Sequence, residues 1–310
     1  MEAAEGAWQP SRHVMARVDS LIPRYRRRVV ATLEPLVRAH YPALLEKSGS
    51  EYRKMLELST KMTLVGHASA ESAGARYDRA RSRIATLFGA CCFLADSFLD
   101  DFGDNAAREY LERFELLLTR GWFEVRTERE RLFYVIVARL FAARDVLEPT
   151  LRQAILLLYE AQRRDVEMRW RGPSLRALPR RRQLDLLRQC ARDRSGHAIT
   201  VLAAFLVPRF SLAYMNLIFA AGALIMHIDD HGDSYADRAE RRLTYMNQVR
   251  RPVAALRRIF HRHVERLHAG LPAGSGRDLL IAFLLRYYLT RLEKHRQQRR
   301  RGPVAWAVYE

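Results

Sequence analysis

The sequence predicts an all-α protein, a single bundle of about ten helices spanning residues 1–310, on three observations. Proline is absent from Ala43 to Glu148 and again from Arg209 to Arg251, and in those spans apolar residues recur every three or four positions, the helical period. Breakers separate the periodic stretches at Ile22-Pro23, Tyr41-Pro42, Glu148-Pro149, Gly172-Pro173, Val207-Pro208, Arg251-Pro252 and the turn from Leu271 to Gly276. No run of alternating β-branched residues with a hairpin turn is present, and neither a repeat of fixed period nor a Pro/Gly/Ser linker divides the chain.

Taken in order, these signals place helices at roughly 12–20, 24–40, 43–65, 76–103, 106–120, 128–146, 148–171, 178–206, 209–236, 252–269 and 276–298, the first of them short. About ten residues at each end are expected to fray. Two helices differ from the rest. Residues 84–99 (IATLFGACCFLADSFL) and 217–228 (LIFAAGALIMHI) are apolar nearly all round, so each should run through the middle of the bundle.

Composition excludes several classes. With 49% hydrophobic residues, 15 Gly and 11 Pro, the chain is too apolar for a disordered protein and too poor in Gly and Pro for a fibrous one. No uninterrupted apolar run reaches the roughly 18 residues of a membrane span: residues 212–226 contain Asn216 and lead straight into His227 and Asp229. The N-terminus shows no cationic start followed by an apolar core, so no secretory signal is read there. Cys91, Cys92 and Cys190 sit in apolar helical runs and read as reduced packing residues. A soluble cytoplasmic protein is expected.

The formal charge is +18, and since only 4 of 53 basic residues are lysines, 53 − 4 = 49 are arginines. Such a charge favours an anionic partner: nucleic acid, a membrane surface or a phosphorylated substrate. The acidic residues discriminate among these. One cluster is Asp96, Asp100, Asp101 and Asp104 in ADSFLDDFGD; the other is Asp229, Asp230, Asp233 and Asp237 in HIDDHGDSYADR. Asp96/Asp100/Asp104 step by four, as do Asp229/Asp233/Asp237, so on a helix each trio stacks on one face. Both clusters contain Asp-Asp-x-Gly-Asp, at 100–104 and 229–233.

A solvated helix face is the ordinary reading of acidic residues, and it fares badly here. Like charges at i and i+4 repel, negative charge at a helix C-terminus opposes the macrodipole, and buried carboxylates are costly without counter-charge. A chain that combines all three twice calls for cations between the clusters. Oxygen-only ligands suit a hard ion, Mg²⁺ or Mn²⁺, which completes its shell with phosphate oxygens. The arginines then gain a purpose as bidentate phosphate ligands.

With its two Asp-rich motifs, Asp100-Asp101-Phe102-Gly103-Asp104 and Asp229-Asp230-His231-Gly232-Asp233, 229 − 100 = 129 residues apart, the chain resembles the class I isoprenoid synthases. Asp229-xxx-Asp233-xxx-Asp237-Arg238, after the helix containing Gly222, is similar to the bacterial large-terpene synthases of the tetraprenyl-β-curcumene synthase group. In the same comparison Cys190-Ala-Arg-Asp-Arg-Ser-Gly-His-Ala occupies the place of a small-residue helix break near the substrate. The specific part covers about 30 residues. Chain-elongating prenyltransferases carry a Gly-Gly-Lys-x-x-Arg segment and an Arg-Arg pair after the first motif. This chain has neither, with only Arg108 and Arg113 following Asp104. The Asn-Ser-Glu triad of microbial terpene cyclases is missing too, and Asp229/Asp233/Asp237 would replace it.

The resemblance implies a Mg²⁺-dependent terpene synthase acting on one prenyl diphosphate, with both clusters as metal ligands and Asp100 and Asp233 as the catalytic aspartates. It implies a diphosphate grip drawn from Arg192, Arg194, Arg238 and the Arg286-Tyr287 pair, of which Arg194 and Arg238 are the stronger choices. Phe88, Phe93, Phe98, Phe219 and Tyr235 lie near the motifs and could line a pocket that stabilises a carbocation, although core packing is the commoner role for each. Homodimers are common in that family, and no residue here shows one.

Three other readings stay open. A chain-elongating or squalene/phytoene-type head-to-head synthase also uses such aspartates. His227 and His231 at i and i+4 have a spacing that can hold zinc or di-iron, but Glu-x-x-His repeats are lacking. Basic runs at Arg24–Arg28, Arg180–Arg182 and Arg299–Arg301 would serve a nucleic-acid-binding protein, which leaves eight aspartates unexplained, or peripheral contact with an anionic membrane. No nucleic acid is expected.

Overall fold

The computed structural model describes residues 11–46, 50–100, 103–170, 175–209, 211–240 and 242–300. Among these residues are twelve α-helices and no strand. They are α1 (Arg12–His40), α2 (Ala43–Glu46), α3 (Ser50–Ser72), α4 (Arg79–Asp100), α5 (Gly103–Arg120) and α6 (Glu128–Ala143), followed by α7 (Pro149–Trp170), α8 (Arg180–Leu206), α9 (Leu212–Ala239), α10 (Tyr245–Gln248), α11 (Pro252–Gly270) and α12 (Ser275–Arg300). The expected all-α class is the one observed.

Local signals explain most of the boundaries. Thr127 caps α6: its side chain accepts from the Glu130 amide while the Glu130 carboxylate reaches back to the cap's own backbone. Ser211 caps α9 by accepting from the Tyr214 amide at 3.1 Å. Pro252 opens α11, where its missing N–H costs nothing.

Four boundaries depart from expectation. Pro23 does not split the first helix: α1 runs through both Pro23 and Pro35, held by the apolar stripe Val18, Leu21, Tyr25, Val29, Leu33 and Leu36. The two lost hydrogen bonds are outweighed by that buried face. The 43–65 helix is instead the short α2 followed by α3, which continues to Ser72. α4 is described as far as Asp100 and α5 from Gly103, so Asp96 and Asp104 stand on separately described helices. No break occurs around residues 190–198, since α8 is continuous there.

The chain gathers into two compact units. One comprises residues 16–154 and 201–209; the described part of the other comprises residues 11–15, 155–200 and 211–300. Each is organised on one of the two apolar helices. In the first, α4 packs against α3, α5 and α6, with Leu94 and Leu99 fully buried. Phe98 sits in an aromatic core, stacked on Tyr110 at 4.5 Å and edge-on to Phe133 at 5.7 Å. In the second, α9 packs against α10, α11 and α12. There α8 crosses α9 at Gly222, where a Cβ would lie 2.4 Å from the Ser195 carbonyl oxygen and 3.0 Å from the Gly196 Cα.

By length and composition alone, α4 (from Arg79 to Leu99) and α9 would qualify to cross a membrane, and at least half of each is buried against the chain itself. Cys91, Cys92 and Cys190 are free thiols. Burial, with Asp96 adding, pushes the Cys91 thiol up to about 12, which leaves it unreactive.

Candidate active site

α9 changes character at Met226. Up to there only Asn216 interrupts an apolar run; its last four turns carry Asp229, Asp230, Asp233 and Asp237, with Asp230 and Asp237 buried and the other two half-buried. All four lie on one helix, as their spacing requires.

Asp229 and Asp233 turn towards α12. The Tyr287 hydroxyl and the Arg291 guanidinium both donate to Asp229 Oδ1. Arg291 also reaches Asp233 Oδ1 at 3.5 Å and the Tyr287 oxygen at 3.0 and 3.1 Å, and Lys294 pairs with Asp233. Tyr287 therefore receives from Arg291 and gives to Asp229. Burial, reinforced by Asp229, holds its proton well above the usual phenol range. α12 comes this close because residue 232 is glycine: a Cβ there would sit 2.7 Å from Arg291 Cδ and 3.1 Å from its Cβ.

Asp230 is in different company. Arg194 on α8 pairs with Asp165 on α7 at 3.0 Å and donates to Met226 Sδ at 2.9 Å. Burial holds the Asp230 carboxyl well above the ordinary range; Arg194 opposes this, while Asp237, Asp229 and Asp165 add to it. Asp237 is pushed up to about 7, again by burial first, with Arg242 opposing and Asp233 adding. The buried part of the cluster thus has more carboxylate than the neighbouring arginines neutralise.

The remaining expected site residues make other contacts. Arg192 is exposed, its guanidinium 5.9 Å from the Phe219 ring centre. Arg238 donates to the Asn247 carbonyl at 2.8 Å, tying α9 to α10. Arg286 is half-exposed on α12. The Phe219 ring lies over Gly196 and meets the His197 ring edge-on at 4.9 Å. Tyr235 packs 5.0 Å from His295. Phe88 is buried beside Phe205 at 6.4 Å, and Phe93 is half-buried. Asp96 is half-buried on α4, while the side chains of Asp100, Asp101 and Asp104 fall outside the described residues. His231 bonds no carboxylate: both its ring nitrogens lack a hydrogen-bond partner, and its ring packs 4.2 Å from that of His295.

Arg291, Lys294, Asp165 and Arg242 were not among the expected residues. The signal for the first two is the step Tyr287, Arg291, Lys294 along one face of α12; nothing marks Asp165.

Among the described residues no three His, Cys, Asp or Glu side chains are gathered into a ready metal cage, and Asp229 and Asp233 are engaged by Arg291 and Lys294. The donors nonetheless fit a hard divalent ion: they are carboxylate oxygens alone, and at Asp230 and Asp237 burial outweighs the opposing charge of Arg194 and Arg242.

In fold the chain is similar to the linalool/nerolidol synthase from Streptomyces clavuligerus, whose crystal structure is a complex with 2-fluorogeranyl diphosphate. The TM-score is 0.54 at 14% sequence identity, covering 95% of this chain and 100% of that one. No family model and no curated protein matches the sequence. The fold is that of the class I terpene synthases.

Proposed function

We propose that the protein is a class I terpene synthase that ionises a prenyl diphosphate and releases diphosphate to leave a cyclic or linear terpene, acting as one catalytic chain in the cytoplasm. The observation that carries this reading is the run of Asp229, Asp233 and Asp237 on α9, with Tyr287, Arg291 and Lys294 set against its first two members, in a chain with a terpene synthase fold.

Asp229, Asp233 and Asp237, with Asp230 beside them, would hold Mg²⁺ or Mn²⁺, and we assign Asp96, Asp100, Asp101 and Asp104 as a second set of metal ligands on the resemblance of their motif. A bound divalent ion supplies positive charge to the diphosphate oxygens as the allylic C–O bond breaks. Arg291 and Lys294 offer cationic donors beside the same carboxylates, and the Arg291 fork can grip two phosphate oxygens at once. Tyr287 fixes that fork from below through its hydroxyl. Phe219 and Phe93, half-buried where Phe88, Phe98 and Tyr235 are buried, are the aromatics free to face a ligand.

The test is incubation with Mg²⁺ and each prenyl diphosphate from C10 to C35, with and without isopentenyl diphosphate, reading organic products by gas chromatography–mass spectrometry. Hydrocarbon or alcohol from one substrate alone, lost with EDTA and in Asp233→Asn and Asp100→Asn, is the expected result. Products that require isopentenyl diphosphate would make the protein an elongase, and a C30 or C40 dimeric product a head-to-head synthase. Absence of diphosphate release from every substrate would sink the enzyme reading.

A further inference from the structure

The unit formed by residues 16–154 and 201–209 carries a groove of about 720 Å³ along the C-terminal half of α1, flanked by the start of α4 and by α6. Four arginines line it, Arg28 from α1, Arg79 and Arg83 from α4 and Arg139 from α6, with His40 at the end of α1. No carboxylate lines it. Its floor is apolar, built from Leu36, Pro35 and Ala39.

Their lack of ion-pair partners sets these arginines apart. Elsewhere in the same unit Arg17, Arg38, Arg81, Arg113 and Arg129 are each paired with an Asp or Glu. Among the described residues none of Arg28, Arg79, Arg83 and Arg139 has an ion-pair partner, and Arg28 rests 5.8 Å from the Tyr25 ring centre. Four like charges converge without neutralisation, which is unfavourable unless an anion joins them.

The groove's chemistry selects the anion. Guanidinium forks match phosphate oxygens. An inorganic ion would have no use for the apolar floor. A nucleic acid would gain from aromatic faces for base stacking, and the lining offers no Phe, Tyr or Trp. A phosphate group carrying a hydrocarbon stem satisfies both halves. Continuing along the same helix, Arg24 and Arg27 are exposed and extend the cationic face.

We propose that this groove seats the phosphate and first acyl segment of an anionic phospholipid, and so docks the protein on anionic membrane surfaces through α1, α4 and α6. The inference does not depend on the proposed reaction.

Flotation with phosphatidylcholine vesicles, with and without phosphatidylglycerol, tests it. The full chain should float with the phosphatidylglycerol vesicles alone. Arg79→Gln/Arg83→Gln/Arg139→Gln, all exposed and without ion pairs, should weaken binding about fivefold per arginine, on the order of a hundredfold together. Arg257→Gln/Arg258→Gln/Arg262→Gln removes the same charge from exposed sites on α11 and should cost far less. Ala39→Glu, exposed at the floor, should also release the protein and carries the test alone if the triple variant is unfolded by circular dichroism. Equal losses in the α11 variant would reduce the effect to net charge and overturn the proposal. So would unchanged binding in the groove variants, or groove variants that lose affinity for inorganic diphosphate or duplex DNA while vesicles never bind.

Discussion

Asp229 is stable as a half-buried carboxylate because Tyr287 and Arg291 both donate to it, and Arg291 holds its own proton more tightly in return. Burial works against that guanidinium charge, and Asp229, Tyr287 and Asp233 more than offset it. Replacing Arg291 by Gln removes a partner from two carboxylates that are 36% and 31% exposed. The solvent they retain limits the loss to about 1–2 kcal/mol of folding stability, read by urea denaturation. Lys294 is itself 40% exposed, so Lys294→Gln should cost under about 1 kcal/mol. With substrate the order of importance stays the same: Arg291→Gln should lower diphosphate release on the order of a hundredfold, in line with the loss of one preorganised donor. A second residue-scale prediction concerns Tyr25, His67 and Glu71. His67 Nδ1 meets the Tyr25 hydroxyl at 2.7 Å and its Nε2 meets Glu71 at 2.8 Å, with the Tyr77 ring stacked 4.7 Å away. Burial lowers the pKa of His67 below 6.5, against the pull of Glu71. A histidine that resists protonation in the fold contributes stability above its unfolded pKa, and loses that contribution as pH falls from there towards the lower folded value. His67→Gln should therefore narrow the difference in urea midpoint between about pH 7.5 and about pH 5.5; an unchanged difference would show that other groups set the acid sensitivity.

At the scale of elements, two glycines of α9 make opposite demands on their neighbours. A methyl at Gly222 meets the Ser195 carbonyl and the Gly196 Cα, backbone atoms of α8 that cannot turn aside. The gain of about 1 kcal/mol in helix propensity from Gly to Ala is then outweighed, and Gly222→Ala should lose about 2 kcal/mol net as the helices separate. A methyl at Gly232 meets the Arg291 side chain instead. The outer part of that chain can swing, while its Cβ, 3.1 Å away, requires α12 to give by a few tenths of an ångström, so Gly232→Ala should cost about 1 kcal/mol in stability, yet lose activity as Arg291 leaves Asp229. Thermal melts and diphosphate release on the two variants separate packing from positioning. These elements were largely legible in advance: long proline-free periodic stretches fixed α4 and α9, and an Asp step of four put Asp229, Asp233 and Asp237 on one face. Pro23 misled because a proline's local cost is set against a buried stripe that only the fold reveals. That Asp96 and Asp104 are described on separate helices was not visible, because periodicity continues between them. The helix break expected around Arg194 is absent, and Arg194 pairs with Asp165. Arg291 was not legible, since with 49 arginines no single one stands out until α12 is laid against α9, and Lys294 gains its meaning only from that packing.

For the whole molecule the governing quantity is +18 of formal charge on 310 residues. Local ion pairs relieve part of it, but most of those formed are at the surface, where each contributes little. The arginines without such pairs repel one another across the folded chain, and that repulsion is weaker in the expanded unfolded state. Added salt shortens the screening length to ~8 Å near physiological ionic strength and weakens both terms. The repulsion involves many distant pairs and the attractions few close ones, so screening removes more of the repulsion. The melting temperature should therefore rise by a few degrees between about 20 mM and about 300 mM sodium chloride. The groove variant, with three unpaired arginines removed, should start higher at low salt and gain less, whereas Arg113→Gln, which breaks the pair with Glu130, should start lower and gain as much as the parent. A melting temperature that falls with salt in the parent would mean that close ion pairs, not the repulsion among unpaired arginines, carry the net electrostatic balance.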